Sequence, residues 1–312
     1  MRNIQTYRQI LAKKGWYFCF NEVRKRIFRL HWLRSMNAIE TVDEDRIYSY
    51  LKRKYGKKIL NSPLLNLNSE NPYPDKIWIC WFQGMEKAPQ IVKRCYESVQ
   101  KHSSGREIIV ITDENIRQYV DFPEWIWRKS EEAKTALRTH LSDLLRISLL
   151  AQYGGIWIDA TCFLTDAIPD YVANAPVFAF KTFLKAGKCK ASSWFIAAQP
   201  ANPIICQTRD MLYEYWRKER FLKHYFLIHL CFSIVCDSSE RNKQMWKKAP
   251  VFPNTNPHLL QSELFDEYNT ERFAQIKCFS FIHKLSYKFT QEKFDQKGTI
   301  YDIEIKGIQE SY

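Results

Sequence analysis

The chain has 312 residues, 46% of them hydrophobic, with only 9 Gly and 12 Pro. That excludes wholesale disorder and collagen-like or linker-rich architecture, and it sets one α/β domain with elaborated ends as the expectation. The formal net charge is +13, but residues 1–58 hold 15 Lys/Arg against 5 Asp/Glu, so the basicity belongs to the N-terminus and a general nucleic-acid-binding role is disfavoured.

The nine cysteines are scattered, with no C-x-x-C pair to suggest a zinc ribbon. Most lie among apolar residues and read as reduced thiols, which places the chain in a reducing compartment, the cytoplasm. Lys13, Lys14 and Arg24 interrupt the only early apolar stretch, against a signal peptide, and no apolar run reaches the length of a membrane span.

Residues 1–60 read as a basic helical segment. Trp16, Phe20, Val23, Ile27 and Leu30 recur at four- and three-residue spacing and form one apolar stripe flanked by Arg24, Lys25 and Arg29. Two placements fit: a helix lying on an anionic membrane face, or a helix packing its stripe on the domain. Residues 61–75, with three prolines, read as a linker.

From residue 76 to about 290 the pattern is α/β, followed by a tail over 291–312. The expected strands are 77–82, 107–112, 156–164, 177–181, 193–199 and 273–281. The expected helices are 89–101, 136–152, 203–217 and 225–236. Strand and helix alternate at first and then mix, which predicts a mostly parallel sheet with antiparallel additions, flanked by helices.

The chemistry concentrates in His140–Thr161, HLSDLLRISLLAQYGGIWIDAT. Asp143 and Arg146 interrupt an apolar helix and share one face with His140. Asp159 ends an apolar strand after a double glycine. Such a carboxylate is poorly explained by packing, because the carboxyl ends of strands in open α/β sheets are where ligands bind. Two acidic groups and one basic group in a cleft suit a sugar diphosphate: carboxylates hold hydroxyls or a divalent cation, and Arg holds phosphate oxygens. The bland alternative is an intrahelical ion pair on a solvated face, with Asp159 capping a turn. His229 and His258 read more simply as core and loop residues.

The string D-x-x-R-x-x-x-L-x-x-x-G-G-x-W-x-D resembles the sugar-donor signature of glycosyltransferase family 32 and of bacterial glucosylating toxins. Gly154–Thr161 (GGIWIDAT) resembles the capsular polysaccharide synthesis family in particular. Lys76-Ile77-Trp78, followed by Trp81-Phe82-Gln83-Gly84, is similar to the first nucleotide-contacting strand and loop. Residues 282–288 are similar to the C-terminal motif.

This resemblance implies a GT-A-like, Rossmann-like domain. It would be an enzyme transferring a sugar from a nucleotide-diphosphate donor, a UDP-sugar for preference, to a surface polysaccharide or lipid-linked glycan, with retention. A non-catalytic sugar- or nucleotide-binding relative is the alternative. Asp143 and Arg146 would hold the donor sugar and phosphate, and Trp81 would lie near the base. Gln83 and Gly155 would complete the nucleotide site, and Lys284 and Lys288 would meet the diphosphate. Asp159 and His283 would hold Mn²⁺ or Mg²⁺. Thr161 replaces the second Asp of the DxD motif, and a hydroxyl is a poor ligand for a hard cation, so metal dependence stays open.

Overall fold

A computed structural model describes residues 20, 36–56, 59, 75–132, 136–182, 187–219 and 221–306. Most of the basic apolar stripe and of the expected linker lies outside them. The longer elements run in chain order as follows: α1 Met36–Leu51, β1 Lys76–Cys80, α2 Gln90–Lys101, β2 Glu107–Ile111, α3 Glu124–Glu132, α4 Ala136–Tyr153, β3 Gly155–Ile158, β4 Cys162–Leu164, β5 Val177–Lys181, β6 Ala191–Ala198, α5 Pro203–Lys218, α6 Leu227–Cys236, α7 Glu240–Lys248, α8 Thr270–Phe279 and β7 Ile282–Lys284.

Five strands form one sheet in the order β2-β1-β3-β6-β5, in which only β6 runs against the rest. The mixed, mostly parallel sheet flanked by helices is therefore as expected. The short apolar runs of β1 and β3 are buried on both faces, which is why they read as continuous rather than alternating. Trp78 and Trp157 point into a core shared with α4, α5 and α6. Ile77, Ile79, Ile156 and Ile158 point into a second core shared with α2 and β4.

Packing does not stop at residues 76 or 290. Leu51 and Tyr55 are fully buried in the first core, and Ile300, Tyr301 and Ile305 are buried in the second.

Two expected strands differ. The run 156–164 is two strands, broken at Asp159, where the Cys162 amide donates to the Asp159 carbonyl at 2.9 Å and closes a turn. β4 then leaves the main sheet and pairs antiparallel with β7. The apolar Ala160 and Cys162 hide this turn in the sequence. Residues 273–281, expected as a strand, are mostly helix α8, whose buried Phe273 and Ile276 are three apart and whose N-cap Asn269 accepts from the Arg272 amide. Helical spacing and a capping side chain outweigh the strand preference of Phe and Ile.

The double glycine joins α4 directly to β3. Gly154 and Gly155 have φ of +66° and +91°. A Cβ on Gly155 would lie 2.6 Å from the Lys76 carbonyl of the adjacent strand. Strain and overlap therefore act together, and Gly155→Ala is expected to lower stability by about 3 kcal/mol. Urea denaturation would measure it; a loss below about 1 kcal/mol would mean that β1 and β3 separate easily.

Candidate active site at the carboxyl ends of β1 and β3

β1 has β2 on one side and β3 on the other, so the connections after β1 and β3 part and leave a crevice at their carboxyl ends. A cavity of about 540 Å³ opens there. Trp81 follows β1 into it, Asp159 and Thr161 follow β3, and α4 supplies His140, Asp143 and Arg146 from one face.

Arg146 organises the acidic groups. Its guanidinium lies 3.3 Å from Asp143 Oδ1 and 3.1 Å from Asp159 Oδ1. It also donates to the carbonyls of Ser142 at 3.3 Å and Ser193 at 2.5 Å. These contacts engage most of its five N–H groups, so it holds carboxylates in place more than it reaches into open space. The Trp157 ring lies 4.9 Å from the guanidinium carbon, and its indole N–H donates to Asp159 Oδ1 at 2.9 Å. The Trp of the motif is thus a positioning residue for Asp159.

Asp143 also meets His140 Nδ1 at 3.0 Å. Burial pushes its carboxyl up, but Arg146 and His140 outweigh burial and hold it below the usual carboxylate range.

The other wall comes from far along the chain. Pairing of β4 with β7 sets Cys162 opposite Lys284, and the Leu285 amide donates to the Thr161 carbonyl at 2.8 Å. The Lys284 ammonium thereby hydrogen-bonds the Thr161 hydroxyl and lies 3.8 Å from Asp159 Oδ2. Tyr287 and Lys288 continue this wall, and the Tyr287 ring packs edge-on against Trp81 at 5.5 Å.

Residues 29–303 match the family described as capsular polysaccharide synthesis protein. The chain belongs to that family. Among similar proteins, the O-glycosyltransferase braB of Annulohypoxylon truncatum is 28% identical over a 175-residue alignment that covers 49% of this chain and 41% of that protein. The match thus spans about two fifths of that relative's length. A solved structure described as PaToxG Glycosyltransferase is 12% identical, with a TM-score of 0.41 and coverage of 79% of this chain and 99% of that one.

The cavity of this capsular-synthesis chain brings together Trp81, Asp143, Arg146, Asp159, Thr161, Lys284 and Lys288. Gln83, Gly155 and His283 are not part of its lining. Gly155 begins β3, at the far end of the strand from Asp159. His283 alternates with Lys284 along β7 and so points to the opposite face. There its Nε2 meets Thr165 Oγ1 at 3.1 Å, and burial lowers its pKa to about 4.

The donor set around Asp159 does not suit a hard divalent cation, which takes six or more oxygen ligands. Asp159 Oδ1 already accepts from Trp157 and Arg146, Oδ2 faces an ammonium, and Thr161 is bonded to that same ammonium. Among the described residues no group of three or more His, Cys, Asp or Glu side chains is placed to hold a metal ion by itself.

His229 and His258, which read from the sequence as core and loop residues, both line the cavity. His229 enters from α6, and burial holds its pKa down at about 4 although Asp143 pulls it up, so the ring is neutral near pH 7. His258 packs edge-on against Trp194 at 6.0 Å. A lone His in the apolar run 225–236 gave little signal, except that Tyr225, four residues before His229, lines the same wall.

Proposed function

We propose that this family member is a glycosyltransferase that moves a sugar from a nucleoside-diphosphate donor to a capsular or other surface polysaccharide or glycolipid. One observation carries the reading: a strand-end carboxylate, Asp159, is gripped by an arginine inside a crevice whose far wall bears Lys284 and Lys288. Two carboxylates face three cationic side chains, an arrangement suited to a ligand with hydroxyls at one end and phosphates at the other. The glycosyltransferase named among the similar proteins supports the same class.

In this reading Asp143 and Asp159 hold sugar hydroxyls, Trp81 offers a ring face to the base, and the lysines meet the diphosphate. As the bond from the anomeric carbon to the phosphate oxygen breaks, negative charge grows on the departing diphosphate, and fixed cations stabilise it more than they stabilise the ground state. No described side chain stands out as a covalent nucleophile. The resemblance to family 32 favours retention, and without such a nucleophile the leaving phosphate would assist attack from the same face. The resemblance favours UDP as the nucleotide.

The basic residues 1–58 favour contact with an anionic membrane surface on the cytoplasmic side. Among the described residues no helix is long and apolar enough to cross a membrane.

The test is nucleoside-diphosphate release from UDP-, GDP- and dTDP-sugars, with donor binding followed by calorimetry. Slow hydrolysis of one donor is the expected result. Binding with no release, even when candidate glycan acceptors are added, would favour a carbohydrate- or nucleotide-binding protein. Absence of both would remove the reading.

A further inference from the structure

We propose that Lys284 takes the place of a divalent cation in this site, so that donor binding and turnover need no metal. The inference rests on the donor-binding reading above and deepens it. The Lys284 ammonium lies between the first and third side chains of Asp159-Ala160-Thr161, bonded to the Thr161 hydroxyl and 3.8 Å from Asp159 Oδ2. A cation shared by those two residues would have to sit where the ammonium already is.

The placement is built into the backbone. Register pairs Lys284 with Cys162, and the Leu285 amide is hydrogen-bonded to the Thr161 carbonyl. A one-residue slip would present His283 or Leu285 in its stead. The lysine is held from its backbone to its tip, since Nζ also donates to the Leu285 carbonyl at 3.3 Å.

Charge balance points the same way. The Asp159 carboxylate is already answered by Arg146 on one oxygen and approached by Lys284 on the other. A doubly charged ion entering this space would meet two fixed cations and a carboxylate with one oxygen bonded twice and the other 3.8 Å from an ammonium. A diphosphate entering it would meet the positive charge of Lys284 and the one N–H of its three that is not bonded to Thr161 or Leu285. Lys288 stands on the same wall. The side chains that would weaken a metal site are those that would strengthen an anion site.

The experiment is calorimetric binding of UDP, GDP, dTDP and CDP to the full chain, in EDTA and in Mn²⁺. For the nucleotide that binds, dissociation constants in the two buffers should agree within about twofold, and Lys284→Ala should weaken binding about 10- to 100-fold, the range of a charge-assisted hydrogen bond. Circular dichroism checks that the variant folds; if it does not, Lys284→Met retains the apolar stem and carries the same comparison. The double variant Thr161→Asp/Lys284→Ala should bind the nucleotide in a Mn²⁺-dependent way, a change that a merely structural lysine would not produce. Tightening of wild-type binding tenfold or more by Mn²⁺ would overturn the proposal, as would unchanged affinity in a folded Lys284 variant. Failure of every nucleotide to bind in either buffer is a different result: it removes the donor reading, and this proposal with it.

Discussion

Replacing Asp159 with Asn is expected to cut donor turnover by about a thousandfold while leaving the fold intact, a loss in the range seen when one preorganised electrostatic group is removed. The amide has nearly the shape of the carboxylate and can still accept from the Trp157 indole N–H. It carries no charge, so Arg146 loses a partner and the sugar end of the crevice loses an anion. Asp159 is a quarter exposed, so water can relieve part of the change and melting should shift little. Steady-state nucleotide release and a thermal melt, run in parallel on wild type and variant, separate the two effects. Turnover within tenfold of wild type would remove Asp159 from the chemistry.

The second large effect concerns stability. Glu219, in the segment between α5 and α6, is a buried carboxylate bonded by residues from the N-terminal segment: Tyr50 at 2.5 Å, Lys54 at 2.6 Å and Tyr55 at 2.8 Å. Lys223 adds a contact at 2.9 Å. Burial would raise its pKa, but the hydrogen bonds from Lys54, Tyr50, Lys223 and Tyr55 outweigh burial and bring it down to about 2. A carboxyl whose pKa is depressed by folding adds stability above its unfolded value. That contribution is complete above about pH 4.5 and is lost as pH falls toward about 2. Glu219→Gln should therefore cost on the order of 3 kcal/mol at pH 7, with the gap to wild type closing as the pH drops through that window. Urea denaturation across pH 2–7 reads both. A gap that stayed constant with pH would mean that the loss comes from packing instead of charge.

The two effects differ in how plainly the residues announced them. Asp143, Arg146 and Asp159 were legible because each violates its surroundings: charge in an apolar helix, charge at the end of an apolar strand. Their spacing alone put them at one end of the sheet, and local structure carried the rest. Glu219 was not legible, because its partners lie more than 160 residues earlier in a stretch whose basicity read as one solvated or membrane-facing surface. Lys54, itself 39% exposed, instead reaches a largely buried carboxylate, and Tyr55 is fully buried beside it. The site's second wall was legible only in part. Residues 282–288 could be matched to a motif, yet which of two neighbouring side chains faces the cavity depends on strand alternation and on the register of β7 against β4. Hence Lys284 is in the cavity and His283 is behind it. The turn at Asp159 was hidden for the opposite reason: Ala160 and Cys162 look like strand residues, and only the departure of β4 toward β7 shows that the run is broken.

The pairing of β4 with β7 also orders events in time. Thr161 and Lys284 are 123 residues apart in the chain. On a ribosome adding about 5–20 residues per second, the two carboxylates and Arg146 are made roughly 6–25 seconds before the lysine that faces them. During that interval the sheet β2-β1-β3 can already form from what has emerged, while β4 has no partner strand. One wall of the crevice is therefore made early in synthesis, and the opposite wall with its cations late.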